Sequence, residues 1–342
     1  MKRLCSTLLA ISLLLTASPV LAWGTKGHMM INKIGASLFP ASMPAFVRSR
    51  DAIAELAALG PEEDRLKGSG PAWDHDNDPG HFLDIGDDNT VAGVVRLDDL
   101  PADFDAYDAA LRAAGTTPYK DGYVPYEILE GWDQIRQDFG YWRVDNYEAT
   151  HAATPVAQAY FVRDRALRQT LTLRDIGVWG HFVADASQPL HITIHYNGWG
   201  DYPNPNGYTT APIHSMFESA FVSRVSTDTA MTKLVSTYAP TNPAALLTQK
   251  QMLATIGAYL ADTAATVPTL YDIEKSGGFR NATPQAVHFV DVQLAHGAGE
   301  FRTLTALAWE DSLNAGVGYP VVQVRDILSG KTPFGFKGFG DD

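Results

Sequence analysis

Cysteine is nearly absent from this chain of 342 residues, in which Cys5 is the one example. Cys5 lies inside an N-terminal stretch with the features of an export signal, so its removal leaves a chain that cannot form a disulfide. Oxidising compartments permit disulfides but do not require them, because roughly 320 residues bury a large core by packing alone. The sequence therefore does not predict a disulfide-held scaffold.

Apolar runs long enough to span a bilayer are also missing. The run at residues 8–15 is too short for a transmembrane helix. It follows Lys2 and Arg3 and precedes Val20-Leu21-Ala22, a small-x-small cleavage pattern. We predict that residues 1–22 are a signal peptide cleaved between Ala22 and Trp23. The mature protein would then be secreted or periplasmic, with no transmembrane anchor.

Positive charge is scarce. The chain has 26 Lys and Arg against 39 Asp and Glu, for a net charge of −13. An acidic surface repels phosphate backbones, so binding of nucleic acid would require metal ions or a local basic patch. The excess of carboxylates keeps an exported protein soluble, and some of these groups could neutralise bound cations.

Strand patterns, internal repeats and low-complexity blocks are scarce or absent too. Apolar residues recur instead at helical spacing. We predict an all-α protein with one domain at residues 23–329, followed by a poorly ordered Gly/Phe-rich tail at 330–342. Helical patterns cover residues 29–38, 44–59, 125–139, 155–169, 171–186, 213–227, 243–266 and 284–315. Loops rich in Gly, Pro, Asn and Asp are predicted at 60–80, 86–103, 140–154 and 196–212.

Two histidine–acid pairs have a spacing that suits metal binding. His181-Phe-Val-Ala-Asp185 and His214-Ser-Met-Phe-Glu218 each place two ligands one helical turn apart on the same face. Between the pairs lies His191, just past Pro189, which is expected to end or kink the first helix. A single pair of this kind is more often a surface ion pair. Both pairs with a histidine between them indicate a metal site.

Further ligands occur upstream. His81 follows Asp-Pro-Gly in a predicted loop-to-helix setting, and the acidic cluster Glu62-Glu63-Asp64 precedes it. Cleavage after Ala22 would also make Trp23 the first residue, five positions before His28. A free α-amine, its carbonyl oxygen and a nearby imidazole can together bind a metal ion.

These residues appear in the order found in the phospholipase C/P1 nuclease superfamily, which the chain resembles over residues 23 to about 220. The resemblance implies a mostly helical fold and three zinc ions. Asp64, His81, His181 and Asp185 would form the first site. His191, His214 and Glu218 would form the second. The amine and carbonyl of Trp23, with His28 and a bridging Asp185, would form the third.

The early carboxylate remains open, since Glu62 and Glu63 compete with Asp64. The resemblance implies that Asp185 is the bridging ligand, and we hypothesise that Asp64 acts as a base near the attacking water; these two residues are the candidate catalytic residues. Phe82 is a candidate for substrate contact, with core packing as the alternative. No metal role is predicted for the other histidines, which are His75, His151, His195, His288 and His296.

The implied activity is hydrolysis of a phosphodiester by zinc-activated water. The acidic balance favours a phospholipid substrate, and so does Glu218, which resembles the phospholipase C branch of the superfamily. The protein would then contact the membrane surface only transiently. The short spacing from Trp23 to His28 instead resembles nucleases that cleave single-stranded DNA or RNA. A non-catalytic zinc-binding protein is a third hypothesis. No obligate protein partner is implied.

Overall fold

The computed structural model of the protein describes residues 23–237 and 247–335. The predicted signal peptide at 1–22 and the last part of the predicted tail, residues 336–342, lie outside the described residues. Within those ranges the chain is almost entirely helical, with two small strand pairs, which confirms the all-α class.

The α-helices of the described ranges are α1 (Gly24–Ser37), α2 (Ala45–Arg48), α3 (Arg50–Leu59), α4 (Glu62–Leu66), α5 (Pro71–Asn77), α6 (Phe104–Ala113), α7 (Pro118–Asp121), α8 (Val124–His151), α9 (Pro155–Asp185), α10 (Val222–Val225), α11 (Asp228–Thr232), α12 (Gln249–Ala264), α13 (Val267–Lys275), α14 (Gly278–Asn281), α15 (Pro284–Asp311) and α16 (Val324–Leu328). The remaining elements are 3-10 turns at Asp78–His81, Leu97–Asp99, Pro189–His191 and Ser312–Asn314, a π-helix at Met216–Phe221, and the antiparallel pairs β1 (Thr90–Val91) with β2 (Val95–Arg96) and β3 (Gly316–Val317) with β4 (Val322–Gln323).

The long helices α9 and α15 begin where a Thr-Pro dipeptide places a cap. The Thr154 hydroxyl accepts a hydrogen bond from the amide of Ala157 at the start of α9, and Thr283 does the same at the start of α15. In each case proline occupies the first helical position, where no amide hydrogen is needed. These caps fix the N-termini of two of the helices that form the core.

The predicted loop at 140–154 is wrong for most of its length. α8 continues to His151, and α9 runs without a break through the gap expected near residue 170. The reason is burial: Val144 and Ala149 pack with Phe161 in a small core away from the main one. Tertiary packing there outweighs the turn preference of Asp145 and Asn146. Two other predicted loops, 60–80 and 86–103, contain short helices and the β1–β2 pair.

The main core forms where α1, α8 and α9 pack against α15, which is buried along most of its length. Gly35 of α1 permits a close approach to α15, because a Cβ there would lie 2.7 Å from the carbonyl oxygen of Ala298. The last ten residues of α9, 176–185, are all buried. The polar pair His181 and Asp185 is thus held inside the protein on a rigid helix.

The start of the predicted tail packs on the body. Phe334 is buried in the small core with Phe161 and Ile327. Among the described residues, no helix combines the length and the apolar character that crossing a membrane requires.

Candidate metal centre

The first ligand cluster brings together His181 and Asp185 of α9, Asp64 of α4 and His81 of the 3-10 turn Asp78–His81. The Nδ1 atom of His81 lies 2.8 Å from Oδ2 of Asp185, and Nε2 of His181 lies 3.3 Å from the same oxygen. Oδ1 of Asp64 is 3.6 Å from Nε2 of His181. All four side chains are buried, so two carboxylates and two imidazoles share a space that excludes solvent.

Local structure aims these side chains. His181 donates through Nδ1 to the carbonyl oxygen of Gly60, at 2.8 Å, which turns Nε2 toward the carboxylates. Asp64 lies on α4, immediately after that contact. The sequence predicted a loop-to-helix setting for His81. In the structure, His81 is the last residue of the 3-10 turn Asp78–His81. A hydrogen-bonded second nitrogen is the usual way that proteins orient a metal-binding histidine.

His28 of α1 completes the first ligand cluster. Its Nε2 atom is 3.4 Å from Oδ1 of Asp185 and 3.8 Å from Oδ2 of Asp64. Its ring is fully buried, and neither ring nitrogen has a hydrogen-bond partner among the described residues. The predicted third site and the predicted first site therefore adjoin each other, with Asp185 facing both.

The second ligand cluster consists of His191, His214 and Glu218. Oε2 of Glu218 lies 2.8 Å from Nε2 of His214 and 3.6 Å from Nε2 of His191. His191 donates through Nδ1 to the backbone oxygen of His81, at 2.8 Å, and thus links the two ligand clusters. Glu218 lies in the π-helical segment at Met216–Phe221, and His214 lies two residues before that segment.

Gln188 is a residue of this site that the sequence analysis did not single out as a contact. Its Nε2 donates to Oε2 of Glu218 at 3.0 Å and lies 3.1 Å from Nε2 of His214. Its Oε1 accepts from the amide of Leu190, which fixes the side chain. The Gln-Pro-Leu-His sequence could have indicated this contact, because it places Gln188 only three residues before the ligand His191.

The charge states of His28, His81 and Asp185 suit a cation. Burial lowers the pKa of His81 to about 3, and burial together with His181 lowers the pKa of His28 well below its usual value. Both rings are thus neutral at pH 7. Burial opposes ionisation of Asp185, but His181 and His191 outweigh it and hold the pKa of that carboxyl well below its usual value. Burial opposes protonation of His181, but Asp185 outweighs it and raises the pKa of that ring. Neutral imidazoles and ionised carboxylates are the forms that bind metals.

Unpaired buried atoms provide a direct test of whether these residues fit a metal ion. The buried side-chain atoms without a hydrogen-bond partner among the described residues include Nε2 of His28, Oδ2 of Asp64, Oδ1 of Asp185, Nε2 of His191 and Oε1 of Glu218. Leaving a buried polar atom unpaired costs about 1–3 kcal/mol. Divalent cations at these positions would satisfy those atoms, so the residues fit metal binding.

Three groups of ligand atoms lie close enough together to hold metal ions. They are His28 with His181 and Asp185, Asp64 with His81 and His181, and His191 with His214 and Glu218, and within each group the ligand atoms lie within 4.8 Å of one another. Imidazole nitrogen and carboxylate oxygen, without sulfur, are compatible with zinc.

Of the three candidates for the early carboxylate, Asp64 is the one in a ligand group. Glu62 lies at the surface, where it forms an ion pair of 2.9 Å with Arg65. Glu63 is buried, and burial raises its pKa.

Trp23 is fully buried beside the end of α9. Its indole nitrogen donates to the carbonyl oxygen of Ala184 at 3.0 Å and to the hydroxyl of Ser187 at 2.9 Å. The two acceptors flank Asp185 in sequence. The first residue of the predicted mature chain is therefore held next to the carboxylate that its backbone is expected to share.

Both ligand clusters open onto one cavity of about 440 Å³. The cavity is lined by His81 of the first ligand cluster and by His191 and His214 of the second. Phe82 lines it and is only partly buried, so it is placed for contact with a ligand. Lys67, Lys120 and Asp84 also line the cavity and were missed by sequence reasoning, although Lys67 comes three residues after Asp64 and Asp84 three after His81.

The cavity is mixed in charge. Nζ of Lys67 lies 2.8 Å from Oδ1 of Asp64, on the side of the first ligand cluster. Burial raises the pKa of Asp84 to about 7, and neighbouring Asp121 adds to this effect. The cavity thus offers cations, an aromatic ring and a carboxyl group that exchanges a proton near neutral pH.

The five histidines without a predicted metal role lie outside the three ligand groups of the described residues. His195 has a structural setting: it is buried and stacked on Trp199 at 3.6 Å, and its Nε2 lies 2.9 Å from Oδ1 of Asp87. His75 is exposed beside Asp76, and His151 stacks on Tyr147.

Comparison with known protein-family models and with curated proteins finds no match to this chain.

Proposed function

We propose that this protein is an exported, zinc-dependent phosphodiester hydrolase that binds three zinc ions. The observation that supports this proposal most directly is the position of the two buried ligand clusters. They are joined by the hydrogen bond from His191 to the backbone of His81, and both face the same cavity. Metal ions on one wall of a cavity are placed to act together on one substrate.

The residues would divide as the family resemblance implies. Asp64, His81, His181 and Asp185 would hold the first zinc, and His191, His214 and Glu218 the second. The amine and carbonyl of Trp23, with His28 and Asp185, would hold the third. When bound, such ions activate water as a nucleophile and neutralise the charge that develops on the phosphoryl oxygens.

Groups of the chain itself would bind and orient the substrate. Lys67 and Lys120 line the cavity and would attract an anionic phosphodiester. Asp64 is the candidate base, because burial raises its pKa and so makes the carboxylate a better proton acceptor. Its neighbour Lys67, 2.8 Å away, would keep that carboxylate oriented.

The lining of the cavity bears on the substrate class. Lys67 and Lys120 could contact the phosphates of a nucleic acid strand. Lys67 also pairs with Asp64, so the two lysines do not form an uncompensated basic patch. Phe82 offers a face on which a base can stack, and Asp84 offers a carboxyl group that can hydrogen-bond a base edge. These residues favour single-stranded nucleic acid, whereas Glu218 and the overall negative charge favour a phospholipid. We place the nuclease reading first on the basis of the cavity lining, the reverse of the preference drawn from sequence.

Parallel assays would separate these readings. The protein would be stripped with EDTA, reloaded with zinc, and tested on single-stranded DNA and on a phosphatidylcholine analogue. We expect DNA cleavage that requires zinc. Turnover of the lipid without the DNA would establish the phospholipase reading instead. Zinc binding that restores folding but hydrolyses neither substrate nor a simple aryl phosphodiester would favour the non-catalytic hypothesis.

A further inference from the structure

The indole of Trp23 is fixed by a closed set of three hydrogen bonds. Its N–H is shared between the carbonyl oxygen of Ala184, at 3.0 Å, and the hydroxyl of Ser187, at 2.9 Å. That hydroxyl in turn donates to the same carbonyl oxygen, at 2.8 Å. All three residues are fully buried, so solvent does not compete for these bonds.

These bonds connect two segments that would hold one metal ion. Ala184 and Ser187 lie on either side of Asp185, at the C-terminal end of α9. Trp23 directly precedes α1, whose His28 approaches Asp185 to 3.4 Å. The indole contact and the His28 contact are therefore two separate links between α1 and the end of α9.

Packing restricts Ser187 to its observed position. A Cβ at Gly297 of α15 would lie 2.7 Å from the Ser187 oxygen, so the absence of a side chain at Gly297 makes room for this hydroxyl. On its other side the indole packs against the ring of Phe217, with centroids 5.6 Å apart. The indole and the hydroxyl have little freedom to move apart.

We propose that Ser187 is a positioning residue for the third metal site: through the Trp23 indole, it sets where the N-terminal amine and carbonyl stand relative to His28 and Asp185. This proposal rests on the proposed function, which gives that backbone a zinc ion to bind. Ser187 itself contacts no metal. Groups that orient metal ligands in this way typically change metal affinity by about 10- to 100-fold when they are removed.

The test uses Ser187→Ala in the processed protein, with Thr172→Ala as the matched control. Thr172 is a buried residue of α9 whose hydroxyl donates to the carbonyl oxygen of Arg168, and it lies 13 positions before Asp185. Both variants lose one buried hydroxyl, and Thr172→Ala loses a methyl group in addition, so the control also reports the effect of a general loss of stability. N-terminal sequencing confirms that each begins at Trp23.

Two readouts report on the third site. The first is zinc per chain in buffers of defined free zinc, measured by elemental mass spectrometry. The second is labelling of the α-amine by an amine-selective reagent near pH 7, since a metal-bound amine has no free lone pair. For Ser187→Ala we expect the weakest of three bound zincs to lose affinity by about 10-fold or more and the α-amine to become reactive. The Thr172→Ala protein should match the wild type in both.

Trp23→Phe provides an independent variant, because it keeps the amine and carbonyl but removes the indole N–H. We expect a larger loss of zinc affinity than in Ser187→Ala, since the Ala184 carbonyl oxygen and the Ser187 hydroxyl both lose their donor. If both variants bind three zincs as tightly as the wild type, with a protected amine, the positioning role is wrong and the proposed function stands. If the wild-type protein binds no zinc, the proposed function itself is wrong, and the positioning role with it.

Discussion

The imidazole rings of His28 and His181 stack face to face, with centroids 3.9 Å apart and planes within 9° of parallel. Both rings are fully buried, and each presents Nε2 to the carboxylates of Asp64 and Asp185. Two charged imidazolium rings at this distance would repel each other strongly. The lowered pKa of His28, caused by burial and by His181, means that at most one of them carries a proton. Neighbouring metal ions would supply the positive charge that the carboxylates require.

Asp185 faces His28, His81 and His181 at once, so its replacement should affect two sites together. We expect Asp185→Ala to lose two of three zincs and to reduce hydrolysis below detection. In the matched variant His214→Ala, only the second ligand cluster loses a ligand, so one zinc should be lost. Zinc content measured by elemental mass spectrometry decides this. An Asp185→Ala protein with three zincs and normal turnover would disprove the bridging role.

The N-terminus gives a prediction about processing. A protein that retains one residue before Trp23 has a peptide nitrogen where the α-amine should be, and a peptide nitrogen is a poor metal ligand. We expect such a protein to bind the third zinc at least about 10-fold more weakly, with the other two unaffected. Comparison of zinc content in proteins that begin at Ala22 and at Trp23 measures this effect. Equal zinc affinity in the two would exclude the amine as a ligand.

Asp145 predicts how stability depends on pH. Burial, reinforced by Asp164, raises the pKa of Asp145 to about 8, whereas the pKa of an aspartate in an unfolded chain is about 3.9. Between these values the folded state retains a proton that the unfolded state has released. Rising pH therefore lowers the free energy of unfolding, by up to about 1.4 kcal/mol per pH unit. Below pH about 4 both states are protonated, and above about 8 the loss is complete.

Replacement of Asp145 by asparagine removes that titration. We expect Asp145→Asn to raise the melting temperature at pH 8 by several degrees and to have little effect near pH 4. Thermal melts of variant and wild type across pH 4–8, with the exposed Asp201→Asn as control, measure the difference. A stabilisation that is the same at every pH would show that the carboxyl is not titrating in this range.

Phe82 tests the nuclease reading. Its ring lines the cavity next to His81, and stacking of a base on an aromatic ring contributes about 1–3 kcal/mol. Phe82→Ala should therefore lower kcat/KM on single-stranded DNA by roughly 5- to 150-fold, with zinc content unchanged. A small aryl phosphodiester that lacks a base should be hydrolysed nearly as before. The exposed Tyr319 provides the control variant Tyr319→Ala. An equal loss on both substrates would argue against base stacking.

Much of the candidate site could be predicted from sequence because its ligands come in local pairs. His181 with Asp185 and His214 with Glu218 are one turn apart, so helical geometry alone brings each pair together. The recurrence of apolar residues at helical spacing likewise indicated the all-α class. The choice of Asp64 over Glu62 and Glu63 was beyond this reasoning, since adjacent residues on a short helix point in different directions and only the tertiary structure decides which one faces the histidines.

The other differences between the sequence predictions and the structure also arise from tertiary packing, which local sequence patterns do not report. The loop predicted at 140–154 is mostly helix because packing of Val144 and Ala149 outweighs local preference. Lys67, Lys120 and Asp84 meet at one cavity although they come from separate segments. Ser187 and Trp23 are 164 positions apart, and no local pattern indicates their hydrogen bond.

The sequence by itself determined the chemistry available: imidazoles, carboxylates, a candidate N-terminal amine after the predicted cleavage, and no cysteine beyond Cys5. These follow from residue types and from spacings within one helical turn. Only the tertiary structure decided which of these groups meet, because His28, Asp64, His81 and Asp185 lie on different elements that the core holds together. Burial then set their charge states, since removal from water changes the cost of a charge in a way that depends on every packed neighbour.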